Sequence, residues 1–212
     1  MARFILVRHG QTEWNRLKRY QGQTDIELNE NGILQAQKAA DRLAEEKIEA
    51  IYCSDLRRAR QTAEIIAEKH NLISAIHQSP LLREMNFGDY EGLTFDQMDK
   101  KYQLIFSADP SWRSAGPDIK APNGESIADM STRVAQFFQQ ISLQHHLDET
   151  VLIAAHGGPL QVLICQLLGI GLEHWWQFRI SGASVSIVEM YPQGASAVLI
   201  NGVSHLKQTA WE

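Results

Sequence analysis

Short, uniformly apolar runs alternate along the chain with stretches of helical period. Phe4-Ile5-Leu6-Val7 breaks abruptly at Arg8-His9-Gly10, and a run of this kind reads as a strand buried on both faces. Ala50-Ile51-Tyr52-Cys53 is a second, and Val151-Leu152-Ile153-Ala154-Ala155 is a third that runs into His156-Gly157-Gly158. A weaker strand falls near Ile73 to His77, and Ser184–Met190 with Ala197–Ile200 form a hairpin around Pro192–Gly194. Between them lie amphipathic helices. Asn29 caps one reaching about Lys47, with Ile33, Ala36, Ala39, Ala40 and Leu43 inward. Ser54 caps another to about His70, with Ala59, Ala63, Ile66 and Ala67 inward. Glu125 or Ser126 opens a third to about Gln144, with Val134, Phe137, Phe138 and Ile141 inward. Pro159 suits the first turn of a fourth, which ends near Gly169.

Strands alternating with helices predict an α/β fold, a three-layer sandwich whose central sheet is mostly parallel with helices on both faces. The segment from Pro80 to Asn123 departs from this rhythm. It is rich in aromatic and turn residues, Trp112 among them, and carries one helical patch from Thr94 to Tyr102. Residues from about 85 to 125 are expected to insert over one end of the sheet, and a long segment of weak periodicity is more often functional than decorative. At 212 residues the chain suits one core with an insertion.

A formal charge of −5 argues against nucleic-acid or anionic-membrane binding. Cys53 and Cys165 are too far apart in sequence for a zinc or redox motif and read as buried thiols. The run before Arg8 is too short for a signal peptide, and no stretch approaches a membrane span, so a cytoplasmic protein is expected.

The chemistry gathers where strands end, the edge at which open α/β sheets bind ligands. Arg57 and Arg58 follow a strand expected to neighbour the first. Cations at a helix start are disfavoured by the macrodipole, by about 0.3–1 kcal/mol each. Arg57 fits a solvated side chain, whereas Arg58 is the candidate anion ligand. The glycines after His156 allow close approach to a helix amino terminus, itself an anion site. Two arginines and two histidines suit a dianionic group such as phosphate. No Asp or Cys stands beside either histidine at ligand-like spacing, and adjacent arginines would repel a cation, so no metal is expected. Phosphoryl transfer also needs a nucleophile and a proton donor. His9 and His156 are candidates for the first, and Glu84, set among apolar neighbours, for the second.

These residues resemble a known family. Leu6-Val7-Arg8-His9-Gly10-Gln11-Thr12-Glu13-Trp14-Asn15, Ser54-Asp55-Leu56-Arg57-Arg58-Ala59, Glu84 through Gly92, and Ala155-His156-Gly157-Gly158 are similar, in order and spacing, to the motifs of the histidine phosphatase superfamily in its phosphoglycerate mutase-like branch. The resemblance spans essentially the whole chain. It implies a metal-independent enzyme, without a cofactor, that hydrolyses a small-molecule phosphomonoester through a phosphohistidine. By that resemblance His9 is the nucleophile; Arg8, Arg58 and His156 hold the phosphoryl oxygens; and Asn15, Gln21 and the Gly157 N–H assist. Glu84 is the general acid, and the insertion is a helical lid.

Several branches share these segments, so α-ribazole 5′-phosphate and phosphoserine are both candidate substrates. The chain lacks the basic insertion of the longer cofactor-dependent mutases, which favours hydrolysis. A phosphoglycerate mutase and a catalytically dead phosphate-ligand sensor are the competing readings; phosphate release separates them. Trp14, Tyr20, Phe87, Trp112 and His205 are aromatic candidates for the leaving-group pocket, and the terminal hairpin offers a strand for homodimer pairing.

Overall fold

The alternation of side chains along β1 (Ala2–Arg8) divides the interior into two cores. Ile5 and Val7 point to one face of the sheet, Phe4 and Leu6 to the other, as the two-residue period of a strand requires. The computed structural model describes residues 2–102, 116–145 and 148–209. Trp112 lies outside them.

The sheet has six strands in the order β3-β2-β4-β1-β5-β6: β2 (Ala50–Ser54), β3 (Ile76–Ser79), β4 (Thr150–Ala155), β5 (Val185–Tyr191) and β6 (Gly194–Gly202) with β1. The first four in that order run parallel, and β5 and β6 close one side as an antiparallel hairpin. A short α1 (Glu13–Arg16) follows β1. On one face α2 (Glu30–Leu43) and α3 (Arg57–His70) supply Ala40, Leu43, Ala63, Ile66 and Ala67 to the core shared with Ile5 and Val7. On the other, α5 (Ile127–Ser142) and α6 (Gly157–Leu168) supply Val134, Phe137, Ile141, Leu160 and Leu163. The small α4 (Phe95–Tyr102) matches the helical patch expected within the insertion. Among the described residues no helix is long and apolar enough to cross a membrane.

Five expectations need correction. The strand before Arg57 does not neighbour β1: β4 lies between them, because β4 pairs with β1 on one side and β2 on the other. Ser54 does not cap α3. It ends β2 in a fully buried position, and Leu56 takes the N-cap with no side-chain bond. Ile33 is 40 % exposed, the inward positions of that turn of α2 being taken by Gly32 and Gln35. Helix α2 also stops at Leu43, where Glu46 turns away to pair with Arg3 and the chain crosses to β2. The third strand begins only at Ile76, after a 3-10 turn at Ile73–Ala75.

The two core assignments on α2 separate energetically. Leu43→Ala, at a fully buried site, should cost about 2–5 kcal/mol of unfolding free energy in urea titration. Ile33→Ala should cost about 0.5 kcal/mol or less. Similar losses at both positions would contradict this packing.

Candidate active site

Parallel pairing sets Arg8 opposite Ala155, so β1 and β4 end together. His9 follows Arg8 and donates its backbone N–H to the Ala155 carbonyl at 2.9 Å. Its ring is almost wholly buried, with Nδ1 2.7 Å from the Gly10 carbonyl oxygen. A carbonyl can only accept, so Nδ1 carries the proton and the Nε2 lone pair is left free. Burial, reinforced by the charges of Arg58 and Arg8, holds the pKa of His9 well below the ordinary value of 6.5. The ring is therefore neutral, the state a nucleophile needs.

His156 is the N-cap of α6 and is fully buried. Its ring lies 5.1 Å from that of His9, centroid to centroid, in an edge-to-face arrangement. Arg58 Nε donates to Nδ1 at 3.1 Å, which makes Nδ1 an acceptor and puts the proton on Nε2. Nε2 in turn sits 2.9 Å from Ser54 Oγ. Burial, with Arg58 the largest charge contribution, pushes the His156 pKa well below 6.5.

Arg58 is 1 % exposed, and its remaining nitrogens donate to the carbonyls of Thr24 at 2.9 Å and Gly22 at 2.6 Å. Burial lowers its pKa to about 10, which leaves it cationic at neutral pH. Arg57 behaves otherwise: it stays in solvent and pairs with Asp25 and Glu27. Arg8 donates to the Ile180 carbonyl at 2.6 Å, while its Nε is buried without a partner. Burial lowers the Arg8 pKa, against the opposing attraction of Glu84.

The Glu84 carboxylate accepts from the backbone N–H of Gly158 at 3.2 Å and of Met85 at 3.0 Å. A Cβ on Gly158 would fall 2.4 Å from Glu84 Oε1, whereas one on Gly157 would meet only Arg8 atoms at 3.7 Å or more. The glycine needed for close approach is thus the second of the pair. Gln21 accepts from Thr12 Oγ1 at 2.7 Å, and its Nε2 is buried and unpartnered. Asn15 is drawn instead into a capping box with Thr12 at the start of α1.

A cavity of about 680 Å³ has Arg8, Glu84, Gly157 and Gly158 in its wall, whereas His9, Asn15, Gln21, Arg58 and His156 are not among its lining residues. Tyr20 and Phe87 line it, joined by Trp175, Trp176 and Arg179. Trp14 packs against Gly92 instead, and His205 lies 2.9 Å from the Ala183 carbonyl oxygen. Cys53 is buried with its thiol pKa pushed up to about 12, and Cys165 is also buried. Among the described residues no three His, Cys, Asp or Glu side chains converge as metal ligands.

Three residues that support the site are not singled out by the sequence pattern: Ser54, Glu91 and Arg133. Ser54, read as a cap, is the partner of His156. Glu91 accepts from the N–H groups of Gln23 at 2.8 Å and Thr24 at 2.7 Å, steadying the loop that holds Arg58. Arg133 shares the inward stripe of α5 with Met130, Val134 and Phe137, and a cation in an apolar stripe is a readable signal.

A sequence model described as the histidine phosphatase superfamily, branch 1, matches residues 4–202. The chain belongs to this superfamily. Phosphoserine phosphatase 1 of Hydrogenobacter thermophilus is 33% identical over 206 residues, covering 97% of this chain and 95% of that protein. Phosphoglycerate mutase of Schizosaccharomyces pombe is 38% identical over 172 residues, covering 78% and 79%. The crystal structure of the alpha-ribazole phosphatase of Shigella flexneri superposes with a TM-score of 0.82 at 31% identity, covering 94% of this chain and 96% of that one.

The two neutral histidines of this superfamily member make its stability depend on pH. Their folded pKa values lie below the unfolded value of about 6.5, so the unfolded chain binds more protons as pH falls. The stability they confer is complete above about pH 6.5 and is lost below it, by about 1.4 kcal/mol per histidine per pH unit. The urea midpoint should fall between pH 7.5 and 5.0, and His9→Asn combined with His156→Asn should flatten that slope. An unchanged slope in the double variant would contradict it.

Proposed function

We propose that this histidine phosphatase-superfamily protein hydrolyses a small-molecule phosphomonoester through a phosphohistidine on His9, without a metal. One observation carries the reading: two buried donors without partners, Arg8 Nε and Gln21 Nε2, accompany a neutral His9 whose Nε2 is free. Unmatched buried donors are costly, and a phosphoryl group supplies the missing acceptors. Arg8, Gln21 and the Gly157 N–H at the start of α6 hold its oxygens. Arg58 adds its charge, and His156 supports the site through Arg58, whose Nε it holds. Asn15 contributes through Thr12, which it shares with Gln21.

His9 Nε2 attacks phosphorus as the bond to the leaving oxygen breaks, and Glu84 gives that oxygen its proton. Glu84 then takes a proton from water, whose oxygen attacks phosphorus as the P–N bond breaks. Inorganic phosphate leaves and His9 is restored. The aromatic walls belong to the leaving alcohol; phosphoserine and α-ribazole 5′-phosphate are the candidates suggested by the named relatives. The segment after Glu84 serves as the lid of one catalytic domain. The similarity to a phosphoglycerate mutase favours a second reading, phosphoryl transfer between hydroxyls of phosphoglycerate.

A phosphomonoester panel scored for free phosphate in EDTA separates them. Hydrolysis should persist in the chelator, and His9→Ala should lower it by at least about 10³-fold. Isomerisation of 3-phosphoglycerate with little phosphate released would select the mutase. Wild-type rates in His9→Ala would remove the mechanism.

A further inference from the structure

The backbone that carries Glu84 is gripped by a residue that never reaches the cavity. Arg133 Nη1 donates to the carbonyls of Leu81 at 2.8 Å and Arg83 at 2.6 Å, and Nη2 donates to that of Glu84 at 2.9 Å. Nε and Nη2 each also donate to Glu125, both at 3.0 Å. All five guanidinium N–H groups are thereby accounted for. Glu125 completes the bracket from the other side: its Oε2 accepts from Asn86 N at 2.9 Å, and its own N–H donates to Asn86 O at 2.8 Å. Both side chains are largely buried, and neither lines the cavity.

We propose that Arg133, neutralised by Glu125, is the positioning residue that sets Glu84 for proton transfer to the leaving oxygen. The proposal rests on the phosphatase reading above. Glu84 is held at both ends, by Arg133 of α5 at its carbonyl and by Gly158 of α6 at its carboxylate. The two helices are tied to each other by Gln166, which donates to the Ser131 carbonyl at 2.8 Å. Its acid is thus referenced to the same helix start that faces the phosphoryl group. A guanidinium suits this task because its planar fork reaches several acceptors at once, whereas an ammonium cannot span them. Small misplacements of a catalytic group cost about 10²-fold, so the grip has kinetic consequences.

The test separates proton donation from general structural damage. An alkyl leaving group needs the proton from Glu84, whereas nitrophenolate departs without it. The value of kcat/KM reports only steps through alcohol release, so later hydrolysis of the phosphoenzyme does not enter. Arg133→Lys should lower kcat/KM about 30- to 100-fold for the alkyl phosphomonoester cleaved best, and less than about 3-fold for p-nitrophenyl phosphate. Glu84→Gln supplies the reference ratio of the two losses. Equal losses on both substrates in a folded Arg133→Lys protein, or no loss on either, would overturn the proposal. If Arg133→Lys does not fold, Glu125→Gln is read by the same ratio and the same criteria. A wild-type protein that releases phosphate from neither substrate would overturn the phosphatase reading itself, and this inference with it.

Discussion

The parallel pairing of β1 with β4 sets the register on which the site depends. With Arg8 opposite Ala155, the next residue of each strand is a histidine, and the two rings meet edge to face. A slip of one residue would exchange Phe4 and Leu6 for Ile5 and Val7 across the sheet and turn both cores inside out. Hydrophobic burial therefore fixes the spacing of the two histidines. Because β4 also pairs with β2, the chain leaving β2 delivers Ser54 and Arg58 to the far side of His156. Three neighbouring strand ends thus supply both histidines, Arg8 and Arg58 of the candidate site.

Such a site buries two arginines beside two histidines, and the fold meets the cost with dipoles. Backbone carbonyls of Gly22, Thr24 and Ile180 take the guanidinium protons, and Glu84 is the nearby carboxylate. The same field keeps both histidines neutral and leaves a lone pair on His9 Nε2. What stays unmet is Arg8 Nε and Gln21 Nε2. Donors fixed in place before the substrate arrives need no reorganisation when charge shifts in the transition state. The folded protein carries this as unsatisfied polar surface, a common exchange of stability for function.

Much of this was legible in the chain, for identifiable reasons. Apolar runs marked the strands, and the step from apolar to Arg-His-Gly or His-Gly-Gly marked their ends, because local patterning controls both. Arg58 stood out as a cation where the helix dipole opposes one, and it is indeed the buried member of its pair. Strand order was less legible: two buried strands look alike in sequence, and only the tertiary fold places β4 between β1 and β2. Ser54 looked like a cap because serine favours that position, but its bond to a histidine 102 residues away follows from register alone. The task of Arg133 and Glu125 is not written in the chain, because apart from each other their partners are backbone carbonyl and amide groups, which every residue carries. The division of labour between the histidines came from family likeness, and geometry adds a physical distinction. His9 has one ring nitrogen unoccupied, whereas His156 has both engaged.

That distinction specifies an isomer. Because Nδ1 of His9 is committed to the Gly10 carbonyl, the mechanism proposed above requires the phosphoryl group to be carried on Nε2. Rapid quenching of the enzyme during turnover, followed by peptide mapping and phosphorus NMR under alkaline conditions, reads both the residue and the nitrogen. A single acid-labile phosphohistidine at His9, bonded through Nε2, is expected. Phosphate on His156, attachment through Nδ1, or turnover with no phosphoenzyme would contradict it.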